Sequence, residues 1–185
     1  MNYREKIIIV LLSVSISLSC LFASGQNPQP VNTGAGVPAD STEAIILNIR
    51  KEYIRIKTDS AKYRVVHQDV MDESTEGGGI VRFLDGKQMV ELGATFYGET
   101  GKNVTEYYFC GTKLFFCYQR HTIYTRPMSG VALRVEENRY YLDNLQMFRW
   151  LKSNGKIVDK TLYYAKRKEL MEELTRLLSL KPEAP

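Results

Sequence analysis

The chain has 185 residues and a formal net charge of only +4, a balance too mild for a protein that holds nucleic acid by charge. Its 12 tyrosines and 7 phenylalanines set it apart from disordered chains and favour strands. Two histidines and three cysteines leave little material for a metal centre.

In chain order, the first element is an export signal. Arg4 and Lys6 precede an apolar, serine-diluted run from Ile7 to Phe22, and Ala23-Ser24-Gly25 supplies small residues at the −3 and −1 positions of a cleavage site. The run is shorter than the roughly 20 mainly apolar residues of a membrane anchor. A lipoprotein signal is the other alternative, because Cys20 follows Ser17-Leu18-Ser19. Its −3 and −2 residues fit that pattern poorly, so cleavage before Gln26 is preferred over lipidation of Cys20. The signal, with glutamine as first mature residue, is similar in style to those of exported bacterial proteins. The expectation is a periplasmic or cell-surface location, with membrane attachment only if Cys20 is lipidated. Removing 25 of the 185 residues leaves 160, enough for one domain with a full core, and losing Arg4, Glu5 and Lys6 lowers the charge from +4 to +3.

Residues 26–39, rich in Pro, Asn and Gly, read as a flexible linker, and residues 40–182 as a single domain. Asp40 and Glu43 have capping-box spacing, with Asp40 as N-cap. Ile45, Ile46, Ile49, Tyr53 and Ile56 then place an apolar stripe on a helix of residues 41–57. Strands follow at Tyr63–Val70, Gly79–Leu84, Met89–Gly98, Val104–Cys110, Lys113–Tyr124, Val131–Leu142 and Leu145–Lys152, with a short eighth at Lys156–Val158. Asp85-Gly86, Thr100-Gly101, Gly111-Thr112, Asp143-Asn144 and Asn154-Gly155 are turn signals between them. Connections so short join antiparallel neighbours. A second amphipathic helix spans Leu162–Leu180, carrying Leu170, Leu174 and Leu177, with Glu172 and Arg176 paired on its solvent side. The fold class is therefore α+β: a twisted antiparallel meander of about seven strands with an N-terminal and a C-terminal helix packed on it. A weak internal echo, Tyr107-Tyr108 against Tyr140-Tyr141, each before a turn and a leucine, marks a hairpin recurring in kind.

The chemistry-bearing motifs are sparse. Gly77-Gly78-Gly79 leads into a strand, not a helix N-terminus, so it is no phosphate cradle. Gly93 and Gly98 have phosphate-loop spacing, but Glu99 stands where lysine is required. His67 and His121 fit no metal-binding pair spacing. Cys117 and His121 share a strand face about 13 Å apart, out of hydrogen-bond reach. The same spacing separates Cys110, opposite Lys113, from Cys117, whereas a disulfide needs Cβ atoms about 3.8 Å apart. Two free thiols are the expectation. No cofactor is indicated, and the sequence points away from catalysis.

What stands out is a surplus of aromatic residues on both faces of neighbouring strands, punctuated by arginines. One reading is that both faces are buried because the sheet curls around a helix. The other is an exposed patch for an apolar or saccharide ligand, with Tyr118, Arg120, Tyr141, Arg149 and Trp150 as candidate binding residues. The leading functional expectation is an exported, non-catalytic binding or interaction module whose partner is an envelope protein, a saccharide or an apolar ligand. Two alternatives stand beside it. One is an envelope assembly protein that escorts a lipid or polypeptide; the other is a hydrolase whose carboxylates, such as Asp69, Asp72 and Glu76, converge only in the fold.

Overall fold

The computed structural model describes residues 39–71 and 74–180. The signal segment with Cys20 and Gln26, the linker up to residue 38, and Asp72 lie outside the described residues. Helix α1 (Ala39–Thr58) leads into seven strands: β1 (Arg64–Val70), β2 (Gly78–Asp85), β3 (Gln88–Gly98), β4 (Gly101–Cys110), β5 (Lys113–Tyr124), β6 (Ala132–Asp143) and β7 (Gln146–Lys152). A short 3-10 turn, Lys160–Leu162, then opens helix α2 (Tyr163–Ser179). Strand order in the sheet equals chain order, and every neighbouring pair is antiparallel. The α+β meander with a helix from each end is thus the observed architecture. Helix α1 starts at Ala39, so Asp40 lies in its first turn and not before it. The eighth strand shrinks to a single bridge, Leu151 with Ile157, which covers part of the β7 edge.

The aromatic pairs explain how the layers are built. Successive strand residues point to opposite faces, so in Tyr107-Tyr108 one ring faces each way. Tyr107 meets α2, its hydroxyl 3.4 Å from the Leu170 carbonyl. Tyr108 meets α1, edge-on to Tyr53 at 5.0 Å between ring centroids. Tyr140 and Tyr141 repeat the device: Tyr140 lies under Lys166 of α2, and Tyr141 packs on Phe116, which in turn packs on Tyr53. The echo between the two hairpins is therefore one rule used twice. The aromatic part of each face is buried, but the sheet does not curl around a single helix; each face has a helix of its own.

On the α2 side, Leu170, Leu174 and Leu177 join Leu92, Tyr107, Cys117, Tyr140 and Leu142 in one core. Burying each of those helix leucines contributes about 2 kcal/mol before entropy is subtracted. On the α1 side, Ile46, Ile49 and Ile56 are at most 1% exposed. Gly101 is required where β4 approaches β5, because a Cβ there would lie 2.2 Å from the Thr122 carbonyl oxygen.

The hairpin register places Cys110 opposite Lys113 and Cys117 opposite Tyr107, so the two cysteines do not bridge. Cys117 is free and fully buried. The expectation of two free thiols is corrected: among the described residues Cys117 is the free cysteine and Cys110 is not. Cys110 sits part-exposed at the hairpin end beside Gly111, whereas Cys117 is sealed in the core.

The β6–β7 turn falls one residue later than its sequence signal, on Asn144-Leu145, both with positive φ (46° and 63°). Such a two-residue turn favours Asn-Gly, and a leucine in the left-handed region costs about 1–2 kcal/mol. Leu145 is 49% exposed, and its carbonyl accepts from Arg167. Leu145→Gly should therefore raise stability by about 1 kcal/mol, read as a rise in melting temperature of a few degrees. An unchanged or lower melting temperature would show that the leucine is not strained.

Candidate functional site

Register divides the α2 face of the sheet into rungs, each running across neighbouring strands. The first is Leu92, Tyr107, Cys117, Tyr140 and Trp150. The second is Ala94, Thr105, Gln119 and Asn138, and the third is Phe96, Asn103, His121 and Glu136. The composition turns from aromatic to amide and hydroxyl to charged within two rungs. Helix α2 seals the first rung and also buries Ala94 and Thr105 of the second, while Gln119 and Asn138 stay part-exposed and Asn103, His121 and Glu136 exposed. What it leaves open is a groove of 770 Å³, floored by the second and third rungs.

Helix α2 supplies the wall. Beside its apolar stripe runs a polar one, Lys166, Glu169, Glu173 and Arg176, at steps of three, four and three, and all four line the groove. Lys166 donates to Glu169 at 2.6 Å, and the Arg176 guanidinium lies 5.7 Å from the Phe96 ring centre. Burial pushes the Glu173 carboxyl above its ordinary value and the Glu169 charge adds to this, while hydrogen bonds from Tyr107 and Thr105 and the Lys166 charge oppose it.

The floor is tied together before any ligand arrives. Tyr140 donates to Gln119 at 2.8 Å, and the Gln119 amide lies 3.4 Å from the Thr105 hydroxyl. The Trp150 indole N–H donates to Asn138 at 2.8 Å, which fixes the ring at the groove's edge. Trp150 also packs tilted against Tyr140, with centroids 5.3 Å apart. Amides and hydroxyls both donate and accept, so this surface can bind a polar molecule without carrying net charge.

The five binding candidates named from sequence do not share a face. Trp150 lines the groove. Tyr118, Arg120, Tyr141 and Arg149 stand on the α1 side. Tyr141 is 2% exposed beneath α1. Arg149 is held by Glu43 of that helix at 2.8 Å. Tyr118 donates to Glu137, and burial together with that bond pushes its phenol up to about 12. Arg120 is exposed on the same face, opposite Glu137 in the register. Of the carboxylates, Asp69 and Glu76 are exposed and do not line the groove. His121 lines it, and among the described residues no group of three or more metal-ligating side chains converges.

The α1 side holds a second polar cluster. Lys57 donates to Glu91 at 2.7 Å and lies 3.5 Å from Glu106, to which Tyr108 also donates. Burial pushes the Glu91 carboxyl up against the pull of Lys57. The Lys57 ammonium is drawn down by burial but raised more by its bond to Glu91 and the charges of Glu106 and Glu91. This cluster is closed under the helix and reads as a joint between layers, not a site.

Sequence reasoning missed Thr105, Gln119, Asn138, Glu169 and Glu173. Two signals could have found them: the polar residues set at the same parity as Tyr107 and Tyr140, and the 3-4-3 polar stripe beside the leucines of α2. Compared with known proteins, the chain matches no family model, no curated protein and no solved structure.

Proposed function

We propose that the chain is an exported, non-catalytic binding module of the bacterial periplasm or cell surface, and that it takes a small polar ligand in the groove beside α2. The observation that carries this reading is the pair of part-exposed amides Gln119 and Asn138, held in place by the buried Thr105 and Tyr140 and by Trp150, where the apolar rung ends. Its volume falls within the ~300–1,000 Å³ of small-molecule sites. An apolar cargo fits poorly, because it would strip water from amides and carboxylates without replacing their hydrogen bonds. Export rests on the signal segment, with cleavage before Gln26 and lipidation of Cys20 as the two ends to be told apart by intact mass and membrane fractionation.

The test of the site is a thermal-shift panel of sugars, amino acids, short peptides and nucleotides. A ligand at a hundred times its Kd adds about 2.7 kcal/mol of stability. Gln119→Ala should abolish the shift, and Arg120→Ala, on the opposite face, should leave it intact. A shift lost in Arg120→Ala and kept in Gln119→Ala would move the site to the α1 side.

A hydrolase is the second reading, favoured by one feature: Glu169 and Glu173 stand one helical turn apart in the groove, and burial raises Glu173. Under it, Glu173→Gln would stop turnover of a bound ligand and keep its binding. Bound ligand recovered unchanged after long incubation with the native protein would rule it out.

A further inference from the structure

We propose that the ligand of the groove is an uncharged oligosaccharide, an inference that rests on the groove being the binding site. Three observations converge on that class. The first is charge. Glu136, Glu169 and Glu173 are matched by Lys102, Lys166 and Arg176 along the lining, so the groove has no surplus to attract a phosphate, a uronic acid or a polyamine. A nucleotide or phosphosugar would need cations in excess.

The second is hydrogen-bond character. Sugar hydroxyls donate and accept at once, and they need partners that do the same. Asn103, Gln119 and Asn138 are such partners on three adjacent strands, with Thr105 between them and Glu173 above. The floor bonds use part of that capacity. Gln119 accepts from Tyr140 with its oxygen and offers one amide hydrogen to Thr105, leaving the other for a ligand. Asn138 accepts from Trp150, which leaves its amide hydrogens to donate.

The third is the aromatic edge. A pyranose presents flat C–H faces that pack on an aromatic ring while its equatorial hydroxyls point sideways into polar groups. Trp150 offers such a ring at one side of the floor, its tilt set by the bond to Asn138 and by Tyr140, and Phe96, partly buried with Arg176 over its ring, lines the groove nearer the open end. Aromatic rings at two positions with amides between them suit a chain of sugars better than a single one, and 770 Å³ has room for it.

Trp150 is the chain's single tryptophan, so its emission reports on the groove directly. The experiment titrates the exported protein with neutral trisaccharides (chitotriose, maltotriose, cellotriose, xylotriose) and an array of neutral glycans, against trigalacturonate, a nucleoside diphosphate and a neutral tripeptide. At least one neutral glycan should change Trp150 emission saturably. Asn138→Ala and Gln119→Ala should each weaken it at least tenfold, and Arg120→Ala should not. Saturable change with the acidic sugar, the nucleotide or the tripeptide and with no neutral glycan would overturn the saccharide assignment and spare the groove as a site. No saturable change with any probe would overturn both.

Discussion

Replacing Lys57 with methionine is expected to destabilise the protein by about 3 kcal/mol and to steepen its loss of stability as pH rises. The Glu91 side chain is 4% exposed, and the Lys57 ammonium lies 2.7 Å away, with Glu106 and the Tyr108 and Tyr53 hydroxyls around it. Methionine keeps the hydrophobic stem and removes the charge, so Glu91 is left ionised, buried and facing a second carboxylate. Breaking a buried pair from one side costs about 3–5 kcal/mol, and the partial exposure of Lys57 places this case at the lower end. Glu91 already titrates above its ordinary 4.5 in the native fold. Between the two values the folded state holds more protons than the unfolded one, so stability falls as pH rises through that window and returns below it. Without Lys57 the window widens upward. Urea midpoints followed from about pH 5 to 8 should fall more steeply with pH in the variant than in the native chain. Lys57→Met with Glu91→Gln should regain most of the loss, because no buried charge is then left alone. A single variant with the native slope would mean that Glu91 does not depend on Lys57.

The meander was legible because its signals are local. Four of the six connections between the seven strands carry a short signal with glycine or asparagine, at Asp85-Gly86, Thr100-Gly101, Gly111-Thr112 and Asp143-Asn144, and antiparallel order follows from connection length. The β6–β7 turn slipped by one residue because Asp143-Asn144 looks as good as Asn144-Leu145 until the register of Tyr141 with Arg149 is known. The aromatic surplus was visible, but its meaning needed parity to be carried across strands. Tyr118, Tyr141 and Trp150 form a set when grouped by type and separate when sorted by face, since Tyr140 pairs with Trp150 and Tyr141 with Arg149. The groove was least legible of all. It exists where an apolar rung ends, and that edge belongs to four strands and a helix that meet only in three dimensions.

Having one helix on each face makes stability and binding separable, and Leu170→Ala is expected to expose the difference. Leu170 is fully buried between α2 and the sheet, and its loss should cost about 3 kcal/mol, within the 2–5 kcal/mol range for buried leucines. The same helix carries the wall of the groove, so loosening its leucine stripe also displaces Lys166, Glu169 and Glu173 from the floor. The variant should lose affinity for any groove ligand, show altered Trp150 emission and exchange the amide hydrogens of α2 faster than those of α1. Tyr53→Ala is the control: it removes the edge-on contacts to Tyr108 and Phe116 from the other face and should lower stability without touching the groove. Equal loss of ligand affinity in both variants would mean that the sheet transmits disorder from one face to the other, and that the groove depends on the whole core. Loss confined to Leu170→Ala would tie the site to the docking of α2 alone.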